Sequence, residues 1–188
     1  MTVGGLVLAA GGSTRFGSPK QLAELDGRPL LEHVLLAMSK APLDRVVVVL
    51  GAHADEVREG VPLHGSEAVL CSDWEKGMGN SLRAGIDALS DCDAVVVALG
   101  DQPRLSSEAV ARVVAQRGRD EQAVRATYNG VPGHPVLLER DVLARVPTLR
   151  GDIGARELLH GVPLREVACD GLGSPADVDT PEGLAALS

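Results

Sequence analysis

The chain has 188 residues, 45% hydrophobic and 23% charged, enough to bury a core in one domain without disulfides or structural metals. Against 26 Asp and Glu stand 18 Lys and Arg, a formal charge of -8. That field disfavours a nucleic acid or an anionic membrane as partner, but not a phosphorylated small molecule, which needs only a few local cations.

Aromatic residues are only 2% of the chain, so Val, Leu and Ala must fill the core, as suits parallel strands buried on both faces. The opening MTVGGLVLAAGG has no basic leader and runs from apolar residues into glycines, which predicts a first strand over Val3 to Ala9 and not a signal peptide. Leu30, Leu31, Val34, Leu35 and Met38 follow at helical spacing, and Pro42 bounds that helix. RVVVVL, from Arg45 to Leu50, reads as a second buried strand. Leu82, Ile86 and Leu89 form another helical stripe, DAVVVAL from Asp93 to Leu99 a third strand, and Val110, Val113 and Val114 a third helix. Strands alternating with helices predict βαβ units and a mostly parallel sheet. After Tyr128 the signals shorten. Pro135 to Leu138 reads as a strand compatible with an antiparallel place, and Glu139 to Val146 and Ala155 to His160 as short helices. Leu164 to Val167 reads as a further strand and Pro181 to Leu187 as a closing helix. No linker separates these pieces, so residues 1–188 are expected to form a single α/β domain. No apolar run approaches the ~20 residues of a bilayer span. Cys71, Cys92 and Cys169 are an odd number without metal-like spacing, as expected for reduced thiols in a cytoplasmic protein.

Open parallel sheets place ligands at the carboxyl ends of their strands, and the polar motifs here follow the apolar runs. In LAAGGSTRFGSPKQL, from Leu8 to Leu22, a strand runs into Gly11 and Gly12 and then a loop bearing Arg15 and Lys20. Such backbone can cradle phosphate oxygens while the two cations add charged donors, although a plain strand-to-helix turn would look similar. The spacing is neither a P-loop nor GxGxxG. GMGNSLRAG, from Gly77, offers Asn80 or Ser81 as a helix cap or as a contact to a base, ribose or phosphate. In LGDQP, Asp101 stands just beyond an apolar strand, placed either to hold Mg²⁺ beside substrate phosphates or to cap the helix after Arg104. In DVDTPEG, Asp177 and Asp179 approach the closing helix, Asp179 being the better candidate for the metal; Asp179 or Thr180 can equally cap that helix. GHPVLL brings His134, and GDIGAREL brings Asp152 and Arg156; each can line an acceptor pocket or be structural.

Together, in this order, LAAGG-x-x-R-F-G-x-P-K, LGDxP, GHPVL, GDxGAR and DxDTP resemble the MobA-like nucleotidyltransferases, most of all the molybdenum-cofactor cytidylyltransferase branch. The resemblance runs from Leu6 to Leu184. It implies a Rossmann-like three-layer sandwich with a mostly parallel mixed sheet, and transfer of a nucleotidyl group from a nucleoside triphosphate to a phosphorylated acceptor, here molybdopterin, with pyrophosphate released. By position, Leu8, Ala9, Ala10, Gly11, Gly12, Asn80 and Ser81 would meet the nucleotide. Arg15 and Lys20 would neutralise the triphosphate, Asp101 and Asp179 would hold Mg²⁺, and His134, Asp152 and Arg156 would lie near the acceptor. The guanylyl branch carries Leu-Ala-Gly-Gly in the first loop, so Ala9-Ala10-Gly11 favours CTP. SPKQL also resembles the loop of methylerythritol-phosphate cytidylyltransferases, but LGDQPRLS stands where that family has His-Asp-Ala-Ala-Arg. Transient contact with a molybdoenzyme or its chaperone is a further implication. A carrier of a pterin cofactor and, since some relatives are described as such, an oxidoreductase of small aromatic compounds remain alternatives.

Overall fold

The computed structural model describes residues 1–118, 120–148 and 155–187. In chain order the elements are β1 (Val3–Ala9), β2 (Glu24–Leu25), β3 (Arg28–Pro29), α1 (Leu30–Ser39), β4 (Arg45–Leu50), α2 (Ala54–Gly60), β5 (Glu67–Leu70), α3 (Met78–Ala88) and β6 (Ala94–Leu99). There follow α4 (Ser107–Ala115), β7 (Ala123–Tyr128), β8 (Val131–Glu139), α5 (Arg140–Leu143), α6 (Ala155–Leu158), β9 (Leu164–Ala168) and α7 (Pro181–Ala185).

Seven strands form one sheet in the order β5-β4-β1-β6-β8-β7-β9, and β2 and β3 make a small hairpin apart from it. Only β8 runs against its neighbours, so the sheet is mixed but mostly parallel, as the sequence implied. Its central strands are buried on both faces. Leu31, Val34, Leu35 and Met38 of α1 join Val57 of α2 and Val110 and Val113 of α4 over Val7, Val48 and Val96. Leu82 and Ile86 of α3 and Val142 of α5 cover Leu6, Val49, Val95 and Val97 from the other side. The α3 backbone comes so close to β1 that a Cβ on Gly85 would stand 2.2 Å from Leu6 Cδ1.

The register fixes where the site can form. Leu8 pairs with both Val49 and Leu99, and Ala9 with Leu50, so β1, β4 and β6 end level with one another. The loops that leave them start side by side.

Several expectations change in detail. The strand foreseen over Pro135 to Leu138 is longer, since Val131 to His134 continue it beside β7. Five elements went unread, β2 and β3 among them because each is only two residues long. α2 buries only Val57 and so has no apolar stripe, β5 is a half-exposed edge strand, and β7 interrupts its apolar run with Arg125. α3 begins at Met78 after Gly77, so Asn80 and Ser81 lie inside its first turn and neither is its cap.

Candidate active site

The first-loop backbone is held from within. Gln21 is buried, and its amide donates to the carbonyls of Ala9, at 2.9 Å, and Gly11, at 3.1 Å. Ser13 Oγ donates to Gln21 Oε1 at 3.2 Å and accepts from the Lys20 backbone N–H at 3.1 Å. The excursion from Gly12 to Pro19 is thus closed at its base, and Lys20 re-enters beside the strand ends.

There Lys20 Nζ donates to Asp101 Oδ2 at 2.7 Å and to Asp179 Oδ1 at 3.0 Å. Arg15 reaches the other oxygen of Asp179 at 2.8 Å from an exposed position. Burial of the ammonium by itself lowers the pKa of Lys20, but the charge and hydrogen bonds of Asp101 and Asp179 outweigh it and hold the pKa above its ordinary value. The Asp179 carboxyl is held below its ordinary value, chiefly by the hydrogen bond from Lys20.

Asp179 is brought here by stitching between two loops. The carbonyl of Asp101 accepts from Val178 N at 2.9 Å, and the buried Gln102 side chain donates to the Pro175 carbonyl at 2.9 Å. The competing capping roles fall to neighbours. Ser106 Oγ accepts from Ala109 N at the start of α4, and Thr180 Oγ1 from Gly183 N at the start of α7. Asp101 and Asp179 therefore cap neither helix, and one ligand oxygen from each of Asp101, Asp177 and Asp179 lies within 4.8 Å of the others. Asp101 Oδ1 is buried without a hydrogen-bond partner. An acceptor atom in that state, beside two more carboxylates, suits a hard divalent cation that takes oxygen ligands.

Lys20 and Asp101 line a cavity of about 320 Å³, with Leu8, Ala9, Ala10 and Gly11 on one side and Ser81 on another. Gly12 lies outside its wall but beneath Trp74, where a Cβ would stand 2.9 Å from the indole. A Cβ on Gly51 would meet Trp74 at 2.6 Å, so the ring is seated against glycine backbone at the cavity edge. Asn80 is not in that wall. Its amide donates to the Asp73 carbonyl and carboxylate, bracing the turn that carries Trp74.

A second cavity of about 500 Å³ adjoins the first at Leu99, and Asp177, Gln102, Arg125 and His134 are among its walls. Burial pushes the pKa of His134 down to about 4, so the ring is neutral at pH 7. His134 thus lies in the wall of the cavity that adjoins the one lined by Lys20 and Asp101. Asp152 lies outside the described residues, and of Arg156 only the backbone, in α6, is described. The thiols of Cys71, Cys92 and Cys169 are buried and unpaired. Among the described residues no helix is long and apolar enough to cross a membrane.

Gln21, Trp74, Gln102 and Arg125 were not singled out from sequence, and Asp177 was ranked below Asp179. Gln21 directly follows the lysine of SPKQL, and Gln102 directly follows Asp101 of LGDQP. Position within those two motifs was the one available signal.

Residues 5–167 match the MobA-like NTP transferase domain. The chain is 35% identical to nicotine blue oxidoreductase of Paenarthrobacter nicotinovorans, over 96% of this chain and 93% of that protein. It is 32% identical to the purine catabolism protein PucB of Bacillus subtilis, over 95% and 92%. Among solved structures, Rv0371C of Mycobacterium tuberculosis in complex with manganese superposes with a TM-score of 0.86 at 32% identity, covering 100% of this chain and 98% of that one.

Proposed function

The chain belongs to the MobA-like NTP transferase family, and from that premise we propose that it transfers a cytidylyl group from CTP to the phosphate of molybdopterin, releasing pyrophosphate. The observation that carries this reading is Lys20 clasped between Asp101 and Asp179 where two adjoining cavities meet the carboxyl ends of β1 and β6. The first cavity takes the nucleotide, with its triphosphate toward Lys20 and Arg15, and the second takes the acceptor.

Asp101 and Asp179, joined by Asp177, would hold Mg²⁺, which supplies a doubly positive centre to offset triphosphate charge. An acceptor phosphate oxygen attacks the α-phosphorus in line. The bond from that phosphorus to the bridging oxygen breaks, and pyrophosphate leaves with the oxygen. Lys20, kept protonated by its carboxylate neighbours, stabilises the negative charge that builds on the α-phosphate. Arg15 neutralises the outer phosphates from its exposed position. Gln21 holds the Ala9 to Gly11 backbone against the nucleotide, which supplies positioning. No protein nucleophile is needed, and the neutral His134 lies beside the acceptor.

The test is direct. Purified protein is incubated with Mg²⁺, molybdopterin and each of CTP, GTP, UTP and ATP, and pyrophosphate is assayed. CTP is expected to support release. Release with GTP alone overturns the choice of base, and none with any nucleotide overturns the acceptor. A thermal-shift panel of the same nucleotides reads the base without the acceptor. The Paenarthrobacter relative carries an oxidoreductase name over nearly the whole chain, which favours one second reading, reduction of a small aromatic compound. Oxidation of NAD(P)H by the purified protein with such a compound would support it.

A further inference from the structure

Gly12 and Gly51 both lack the positive φ that would itself call for glycine. What a side chain on Gly12 would meet is Trp74: a Cβ there would stand 2.9 Å from the indole Cη2, with nothing else closer than Ala52 Cβ at 3.8 Å. A Cβ on Gly51 would stand 2.6 Å from the indole Cγ and equally close to the Ala10 carbonyl oxygen. The half-buried ring thus lies lengthwise from the end of β4 to the first loop, its five-membered part near Gly51 and its six-membered part near Gly12. Its turn is fixed within the protein. The Asp73 carboxylate accepts from the Asn80 amide at 2.8 Å and from the Cys71 thiol at 3.4 Å, and Gly77 N donates to the Trp74 carbonyl at 3.0 Å. Trp74 is the one tryptophan of the chain and the one aromatic side chain in the wall of the first cavity. The phosphoryl-transfer chemistry does not use it.

The same cavity is electrically one-sided. β4 and β6 flank β1, and with strands about 4.8 Å apart their ends are on the order of 10 Å from each other. Trp74 is seated at the β4 end, with the acidic Glu75 beside it in the wall, whereas Lys20 stands at the β6 end, 2.7 Å from Asp101. A triphosphate is drawn to Lys20 and repelled by Glu75, which leaves the indole side to an uncharged group. Resting on the reading of this cavity as the nucleotide site, we infer that Trp74 is a stacking platform for the nucleotide base, while the phosphates extend toward Lys20. An indole gives a broad, rigid π surface, and base stacking on an aromatic side chain tolerates every base. Glycine at positions 12 and 51 lets the ring sit against the backbone and leaves the cavity, about 320 Å³, to the ligand. Trp74 therefore sets how far the nucleotide reaches toward Lys20, and the choice among bases falls to other groups of the wall.

Trp74 reports on itself, since its emission is free of any second tryptophan. The wild type is titrated with CTP and Mg²⁺ while that emission is followed, and equilibrium dialysis of labelled nucleotide gives the Kd independently. Emission is expected to be quenched with the same Kd. W74A should weaken every nucleotide that the wild type binds by about 10-fold or more, and W74F should recover most of the loss. Inorganic tripolyphosphate, which has no base, separates stacking from support of the loop. Its Kd with Mg²⁺, read by calorimetry, should stay within about 2-fold of wild type in W74A. Equal weakening of CTP and tripolyphosphate overturns the inference, because Trp74 would then only shape the first loop. An unchanged CTP Kd in W74A overturns it too. So does emission that ignores bound CTP in the wild type, a measurement that needs no variant to fold. If dialysis finds no nucleotide bound, the nucleotide reading of the cavity fails and takes the inference with it; nucleotide bound without pyrophosphate release faults the acceptor alone.

Discussion

Replacing Lys20 with methionine should tighten divalent-metal binding while abolishing turnover. Lys20 Nζ is 2.7 Å from Asp101 and 3.0 Å from Asp179, two of the three carboxylates proposed to hold the metal. Side-chain exposures of 16%, 23% and 33% for Lys20, Asp101 and Asp179 put these pairs between interior and surface. Unit charges about 4 Å apart interact by about 4 kcal/mol at an effective dielectric near 20, and solvent reduces that severalfold here. A dication arriving on the same oxygens must move the ammonium aside or sit against it, a penalty on the order of 1–2 kcal/mol or about 10-fold in Kd. K20M removes that penalty. It also leaves Asp101 with neither oxygen paired, since Oδ1 already has no partner, so the metal-free variant should lose about 1–3 kcal/mol of stability. Added metal should then raise its Tm more than that of the wild type. Mn²⁺ titration followed by loss of the free-ion EPR signal, without nucleotide, reads the affinity, and scanning fluorimetry reads the Tm. If K20M binds Mn²⁺ no more tightly than the wild type, Lys20 does not compete for these carboxylates and the shared-site argument fails.

Three further outcomes follow from other contacts. D101N should lower kcat/KM about 100-fold or more, on the order of 3 kcal/mol, and weaken Mn²⁺ binding in the same EPR assay; near wild-type rates at saturating Mg²⁺ would remove Asp101 from the metal site. Q21A leaves the Ala9 and Gly11 carbonyls without their donor, at about 2 kcal/mol, seen as a Tm lower by roughly 4–8 °C and a raised KM for the nucleotide; an unchanged KM would mean that the loop holds its shape unaided. The His134 pKa of about 4 lies below its ordinary 6.5, so between those pH values the unfolded chain binds a proton that the native ring refuses. Stability should therefore fall as pH drops through that window, by up to about 3 kcal/mol since water reaches the cavity edge, and H134Q should flatten the slope in urea titrations at pH 7 and 4.5.

The sheet was legible because its central strands are buried on both faces. RVVVVL and DAVVVAL can hardly be anything else, and the amphipathic stripes of α1, α3 and α4 show where helices pack. α2 was not legible, because ADEVREG buries one valine and its helical form depends on the loop connecting β4 and β5. Within the site, Asp101 could be named because it stands two residues beyond a strand end that the hydrophobic pattern marks, and Lys20 because it sits in the glycine-rich loop that leaves the first strand. The place of Asp177 in the carboxylate cluster could not be read from sequence. Its place beside Asp101 depends on the bond from Val178 to the Asp101 carbonyl, a contact across more than seventy residues that no local pattern encodes. Arg125 was hidden for a related reason. In sequence it merely breaks an apolar run, and only the pairing of β7 with β8 places it beside His134 in one cavity wall.

The two cavities are built by different parts of the sheet. Parallel β1, β4 and β6 end level and frame the first cavity, whose first-loop backbone is held by Gln21 and whose carboxylates are placed by the bond between the Asp101 and Val178 loops. Antiparallel β8 reverses direction beside β6, so Gly133 and His134 in its first half reach the same rim from the opposite side, and with β7 they wall the second cavity. Side-chain changes on β7 and β8 can therefore reshape what is accepted while the end of β1 and its lysine remain in place. Relatives that share this fold over nearly their whole length yet carry names from unlike chemistries are what such a division permits. On the proposed reading, the side chains facing the second cavity, His134 and Arg125 among them, would distinguish one acceptor from another.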